Sequence, residues 1–147
     1  MDNENIVSKM NSFLHETATA LVLWMEGILP RVTETWWNDC VLNSLSYTQR
    51  EIAKERGFSK LSDFDLAALL RIANKSWYDM RTVVYLPTSE REVIREMINV
   101  RNNWAHCSAE LPGKDMVLSD LHTISALMSQ LSADKTTLKE ISDPHDH

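Results

Sequence analysis

The chain is poor in the residues that interrupt regular structure or staple small domains. Its 147 residues include 3 glycines, 4 prolines and 2 cysteines. So few turn-forming residues favour long regular elements over a loop-rich fold. Cys40 and Cys107 belong to no CxxC or Cys/His cluster, so neither a zinc site nor a disulfide framework is indicated. We therefore expect one domain with its own hydrophobic core, reduced cysteines, no metal and no cofactor.

Long apolar runs and the pattern of a secretory leader are also missing. Residues 1–10 are acidic and polar, unlike a signal peptide. The longest apolar run, residues 18–29, is interrupted by Glu26 and is too short to span a bilayer. These features predict a cytoplasmic protein that does not contact a membrane.

An excess of positive charge is absent from the chain as a whole, with one local exception. The net charge is −6, which argues against binding nucleic acid over the whole surface. Residues 71–101, however, contain six basic and four acidic side chains, a local net charge of +2. This positive stretch leads directly into Arg101.

Apolar residues recur at helical spacing in five segments, and no strand-like alternation persists. The predicted helices cover residues 5–29, 36–56 (with a break near Ser46), 66–84, 93–104 and 115–131. Predicted helix starts are the capping-box pairs Ser62–Asp65 and Ser89–Glu92 and the N-cap Asp115. The fold class is therefore all-α, a compact bundle of about five helices over residues 1–132, followed by a polar, disordered tail or linker at 133–147.

Arg101 falls near the middle of the apolar face of the fourth predicted helix. A charged side chain is rarely buried without a partner, because desolvation costs several kcal/mol. One interpretation is that its stem lies along the apolar surface or that it pairs with a carboxylate, for which Glu26, Asp79 and Glu96 are candidates. The other is that this end of the helix faces a second subunit or a substrate anion.

His106 ends the same helix. It can be a simple cation at the negative end of the helix dipole, or a chemical group. Asn102, four residues earlier, shares its face, and an amide beside an imidazole can fix the tautomer and orientation of the ring. Arg101 and His106 are about 140° apart around the helix and roughly 7.5 Å apart along its axis. One helix does not aim both at one small point, but two copies meeting near a two-fold axis would.

The segment 101–106, RNNWAH, resembles the R-x4-6-H motif of the HEPN superfamily, in the form with four intervening residues and a polar residue directly after the arginine. The helix DFDLAALLRIANKSWYDM (63–80) and the approach EREVIREMINVRNNWAH (90–106) extend the similarity, which covers roughly residues 5–132. They resemble the branch found as an end domain of larger proteins, including helicase-like or ATPase-like proteins of bacterial defence.

This resemblance implies a helical bundle that dimerises through the motif helix and a metal-independent endoribonuclease with both copies of the motif in one cleft. His106 would act as general base or acid on the ribose 2′-hydroxyl or the leaving 5′-oxygen. Arg101 would hold the scissile phosphate, and Asn102 would orient His106 or the phosphate. The expected products are a 2′,3′-cyclic phosphate and a 5′-hydroxyl, and the expected biological role is an effector or toxin of anti-phage defence.

Two other functions compete with this one. A non-catalytic HEPN-like module that dimerises or docks, with a larger C-terminal domain or partner protein, is favoured by the polar tail and the negative net charge. An adaptor unrelated to HEPN requires the motif to be accidental. Away from the motif, Trp36 and Trp37 stack on bases or pack in the core and an interface, while His15 and His122 are interpreted as surface or structural residues.

Overall fold

The computed structural model describes the backbone of residues 3–106 and 112–142 and the side chains of residues 5–106 and 112–134. Within these ranges the fold is all-α, without strands, as the sequence predicts. The α-helices are α1 Asn3–Glu26, α2 Leu29–Val32, α3 Tyr47–Glu55, α4 Leu66–Lys75, α5 Trp77–Met80, α6 Thr88–Ala105 and α7 Lys114–Ser142. A π-helical turn at Trp37–Val41 and 3-10 turns at Leu42–Ser44 and Leu61–Asp63 connect them.

The four long helices surround one core. Each packs against two others, in the cyclic order α1, α7, α6, α4. Every helix contributes side chains that are 0% exposed, among them Met25 of α1, Leu69 of α4, Met97 of α6 and Leu127 of α7. Burial of such side chains is the main stabilising term of a bundle. The predicted bundle architecture is thereby confirmed.

The predicted helix 5–29 is two helices. α1 ends at Glu26, and the short α2 carries Pro30 in its first turn. A proline is acceptable there because the N–H that it lacks would have no partner within the helix. Pro30 therefore starts a second element instead of ending the first.

The predicted helix 36–56 breaks at Ser46. The hydroxyl groups of Ser44 and Ser76 both donate to the Cys40 carbonyl, at 2.6 Å and 2.7 Å, where serine competes with the regular helical ladder. α3 then starts with a complete capping box: Ser46 Oγ accepts from the backbone of Gln49, and Gln49 Oε1 accepts from the backbone of Ser46. The break was predicted, but its cause is the long-range contact with Ser76.

The predicted start of α4 is one motif out of place. Ser62 lies in a 3-10 turn, and the cap of α4 is Asp65 itself, whose Oδ1 accepts from the backbone N–H of Ala68 at 2.9 Å. The predicted helix 66–84 also ends earlier. It is divided at the buried Ser76, and the second part, α5, stops at Met80.

The Ser89–Glu92 capping box is wrong as well. α6 begins at Thr88, and Pro87 occupies the N-cap position without any side-chain cap bond. Proline holds the extended backbone that precedes a helix, so the start of α6 is fixed by backbone conformation and not by a hydroxyl.

α7 is longer than predicted. It begins at Lys114, with Asp115 in its first turn and not at the cap, and continues to Ser142. Residues 133–142 are thus helical where a disordered tail was expected, and the domain boundary at 132 stays a prediction. Over the described residues, none of the helices has the combination of length and apolar composition needed to cross a membrane.

Candidate functional site

Arg101 lies at the edge of the core and not inside it. The buried residues of α6 are Ile94, Met97, Val100 and Trp104, and Arg101 itself is partly exposed. None of the proposed partners, Glu26, Asp79 and Glu96, forms a salt bridge with it, nor does any other described carboxylate. Its hydrogen bond within the described structure runs from Nη1 to Oδ1 of the adjacent Asn102, at 3.3 Å. The guanidinium is therefore a charge without a counter-charge.

Two grooves open on either side of the Arg101 side chain. The larger, of about 670 Å³, lies between α1, the start of α4 and the end of α6, and its lining includes His15, Glu26, Trp104 and Arg101. The smaller, of about 300 Å³, lies between α3, α4 and α6 and is lined by Gln49, Ala67, Leu70, Arg71, Asn74, Lys75, Ile98, Arg101 and Asn102. Arg101 belongs to both linings, so an anion in either groove can reach it.

His106 is exposed at the C-terminal cap of α6. Its backbone N–H donates to the Asn102 carbonyl at 3.3 Å, and it lines neither groove. The side-chain hydrogen bond between Asn102 and His106 that their spacing allows is not formed, since Asn102 Oδ1 accepts from Arg101 instead. One copy of the chain thus brings Arg101 and Asn102 together and leaves His106 one turn away, facing solvent.

Trp104 anchors this end of α6. It is 6% exposed, and its Nε1 donates to Oδ2 of Asp120 on α7 at 2.9 Å. Asp120 is also 6% exposed, so the bond satisfies a buried carboxylate. The expectation that Trp104 packs in the core is supported, and the bond fixes the helix turn that precedes His106.

Sequence reasoning missed three residues that line the grooves. His15 is exposed on α1 and lines the larger groove with Arg101, although it is far from the motif in sequence. Arg71 and Lys75 line the smaller groove from α4. The only sequence signal for the last two is the positive stretch 71–101, which the structure folds against Arg101.

The adjacent tryptophans form part of an aromatic cluster. The rings of Trp36 and Trp37 meet edge to face at 5.8 Å, and Trp37 lies 5.8 Å from Phe64, which is 7% exposed. Both tryptophans are partly buried against the core. This packing favours the structural interpretation over base stacking.

The other end of α6 carries an acidic pair. Burial, followed by the carboxylate of Asp134 on α7, raises the pKa of Glu90 to about 7 from 4.5. The pKa of Asp134 is also raised, chiefly by burial. Glu90 Oε2 and Asp134 Oδ2 are inaccessible to solvent and have no described hydrogen-bond partner. Glu90 is therefore a carboxyl group that stays protonated at pH values where an ordinary glutamate is charged.

Metal-ligating residues do not gather in the part of the chain that the structure describes. No group of three or more His, Cys, Asp or Glu side chains is suitably placed there. Cys40 is buried, and burial raises the pKa of its thiol. Cys107, next to His106, lies outside the described residues.

Comparison with known proteins gives one match. The model of the Swt1-like HEPN family matches residues 13–132, which include α4, α6 and the whole of segment 101–106. No curated protein and no solved structure matches the chain. The match covers most of the sequence and agrees with the all-α fold, so this chain belongs to the Swt1-like HEPN family.

Proposed function

We propose that the chain is a metal-independent endoribonuclease of HEPN type, in which Arg101, Asn102 and His106 act in a cleft between two copies. The observation that carries the proposal is the exposure of Arg101 to two open grooves without a carboxylate partner among the described residues. A guanidinium keeps its charge at any physiological pH, and its planar donors suit a phosphate.

The chemistry needs no group beyond these side chains, because RNA supplies its own nucleophile. The ribose 2′-oxygen attacks the adjacent phosphorus while His106 of one copy takes its proton. The bond from phosphorus to the 5′-oxygen breaks, and an imidazolium, His106 of the second copy, protonates that oxygen. Arg101 stabilises the charge that develops on the phosphoryl oxygens, and Asn102, bonded to Arg101, holds the guanidinium in place. The products are a 2′,3′-cyclic phosphate and a 5′-hydroxyl.

The position of His106 supports the need for two copies. Within one copy, Arg101 lies between the grooves and His106 points to solvent at the helix end. A two-fold pairing of α6 ends brings each His106 toward the Arg101 of the other copy. It also provides both a base and an acid, which one histidine cannot be at once.

The first test is cleavage of a mixed, labelled RNA pool in EDTA by the parent chain, Arg101→Ala and His106→Ala. We expect cyclic-phosphate ends from the parent and a loss of about 10²–10⁴-fold in each variant. Matched controls are Arg95→Ala, an exposed arginine on the same helix, and His122→Ala, an exposed histidine on α7. Both are expected to cleave like the parent.

The same samples separate the competing functions. A well-folded dimer that cleaves no RNA would contradict the nuclease and favour the docking module of a larger protein. A folded monomer would contradict the composite cleft. The role as effector or toxin adds one expectation: expression of the parent, but not of His106→Ala, slows bacterial growth.

A further inference from the structure

We propose that the smaller groove is a binding subsite for the backbone phosphates of single-stranded RNA, next to the bond that is cut. We call it the donor groove and define it by the residues of α3, α4 and α6 that line it, given above. The identity of its ligand rests on the proposed nuclease function, but the groove itself stands on its own geometry.

The charges in the donor groove have one sign. Arg71, Lys75 and Arg101 line it, and no aspartate or glutamate among the described residues does. This concentration of positive charge occurs in a chain whose net charge is −6. Arg71 and Lys75 are also four residues apart on α4, a spacing at which like charges destabilise a helix slightly. A bound anion would remove that repulsion.

The neutral polar groups of the groove are also restricted to donating. Each of its three amide side chains has its carbonyl oxygen occupied by an internal donor that cannot accept in return. The three bonds are Ser46 N to Gln49 Oε1 (3.0 Å), Arg91 Nε to Asn74 Oδ1 (3.1 Å) and Arg101 Nη1 to Asn102 Oδ1 (3.3 Å). These bonds determine which way each amide is turned, because only its oxygen can accept. The three NH₂ groups remain for a ligand.

Cations and NH₂ groups together present only hydrogen-bond donors to the groove. A ligand rich in acceptors and negative charge matches such a lining, and phosphate oxygens are both. Arg71 is already held in place, since its Nε donates to the Ser44 carbonyl at 2.8 Å and its terminal nitrogens stay available. The site is therefore partly organised before any ligand arrives.

The position of the groove fits a strand and not an isolated ion. Arg101 lines both grooves, so a phosphate in the donor groove is a neighbour of the phosphate that Arg101 is proposed to hold for cleavage. A volume of about 300 Å³ accommodates a single-stranded backbone and excludes a duplex. Successive phosphates of one strand would then occupy the donor groove and the cleavage site.

The test measures binding separately from cleavage. A fluorescent 2′-O-methyl oligonucleotide has no free 2′-hydroxyl, so it binds without being cut. Its affinity is measured by anisotropy over a series of salt concentrations for the parent, Lys75→Gln, Arg71→Gln/Lys75→Gln and the control Lys9→Gln. Lys75 and Lys9 are both exposed, but Lys9 lies on α1 and lines neither groove.

Each lost phosphate contact lowers the slope of log K against log salt by about 0.7 for a single strand. We expect that decrease for Lys75→Gln, about 1.4 for the double variant, and a loss of affinity of roughly tenfold in the double variant at low salt. Lys9→Gln should match the parent. Equal slopes for Lys75→Gln and Lys9→Gln would overturn the proposal, and Lys75→Gln decides the matter if the double variant misfolds.

Two further arms distinguish the failures. Lys75-dependent binding of the oligonucleotide without any cleavage of ordinary RNA would sink the nuclease and keep the groove. Cleavage with an unchanged KM in Lys75→Gln would keep the nuclease and sink the groove. Calorimetric titration with inorganic phosphate alone tests the isolated-ion alternative: Lys75-dependent heat from phosphate, with no Lys75-dependence for the oligonucleotide, would overturn the strand assignment.

Discussion

Arg91 and Arg101 are the same residue type on the same helix, and the structure treats them differently. Arg91 donates to Oδ1 and to the backbone carbonyl of Asn74 at 3.1 Å and 3.2 Å, and to the Tyr78 hydroxyl at 3.2 Å. Its guanidinium carbon also lies 4.9 Å from the centre of the Tyr78 ring. Arg101 makes one longer bond, to its own neighbour Asn102.

The difference separates a structural arginine from an available one. The donors of Arg91 are used to join α6 to α4 and α5, so little of its hydrogen-bonding capacity is left for a ligand. Arg101 keeps most of its donors and has open volume on both sides. Helical periodicity cannot tell the two apart, because it reports the direction of a side chain and not the partners that it meets.

The largest effect is expected from exchanging each arginine for alanine. Arg101→Ala should reduce RNA cleavage by about 10²–10³-fold, with the free energy of unfolding nearly unchanged, because a charge-stabilising donor is lost and no internal contact with it. Arg91→Ala should lower the free energy of unfolding by about 1–3 kcal/mol and reduce cleavage far less. Urea unfolding and cleavage rates on the same samples measure both.

The opposite pattern would erase the comparison. If Arg101→Ala destabilises the fold as much as Arg91→Ala does, Arg101 is a structural residue. The proposed catalytic role then loses its main support.

An intermediate effect is expected from Trp104→Phe. The ring stays buried, but the N–H that donates to Asp120 is lost and a buried carboxylate is left unsatisfied. The free energy of unfolding should fall by about 1–3 kcal/mol. This sharpens the comparison, because it tests whether the available arginine rests on a rigid support. Trp36→Phe, at a partly buried position without a described indole hydrogen bond, is the matched control, and equal losses in the two variants would count against a special role of the Asp120 bond.

The smallest effect is expected from Glu90→Gln, at the closed end of α6. The pKa of Glu90 is about 7 in the folded chain, above the ordinary 4.5, so the unfolded state releases its proton first. Stability therefore falls as the pH rises from about 4.5 to about 7 and levels off above. A neutral glutamine avoids this loss. It should stabilise the fold by on the order of 1 kcal/mol at about pH 8 and very little at about pH 4, the figure being reduced for partial exposure.

The control for this prediction is Glu92→Gln. Glu92 is exposed and pairs with Arg95 at 3.6 Å, so its neutralisation should change stability by only a few tenths of a kcal/mol. Some pH dependence should remain in Glu90→Gln, because the pKa of Asp134 is raised as well. Equal pH profiles for Glu90→Gln and the parent would show that Glu90 does not hold its proton.

Much of the fold could be predicted, because periodicity and breakers are local signals. The all-α class, the break near Ser46 and the end of α6 at His106 were all accessible to the sequence. The capping boxes at Ser62 and Ser89 failed for a local reason: Asp65 and Pro87 compete for the same helix starts and hold them better. The early end of α4 failed for a distant one, the contact of Ser76 with the Cys40 carbonyl.

The site was less accessible than the fold. The family motif located Arg101, Asn102 and His106, and the positive stretch hinted at Arg71 and Lys75. The orientation of the three amides was beyond prediction, since each depends on a donor that only the folded chain, or its local turn, brings into place. The proximity of His15 to Arg101 likewise arises from the packing of α1 beside the end of α6.

The bond between Trp104 and Asp120 makes α7 a lever on the motif. It joins α6 to α7 one turn before His106, and α7 extends to Ser142, well beyond the matched family segment. A pull or twist on the far part of α7 therefore either moves the turn that carries Arg101 or breaks a buried hydrogen bond, at a cost of about 1–3 kcal/mol. Whatever is attached at that end of the chain has a mechanical handle on the geometry of the motif.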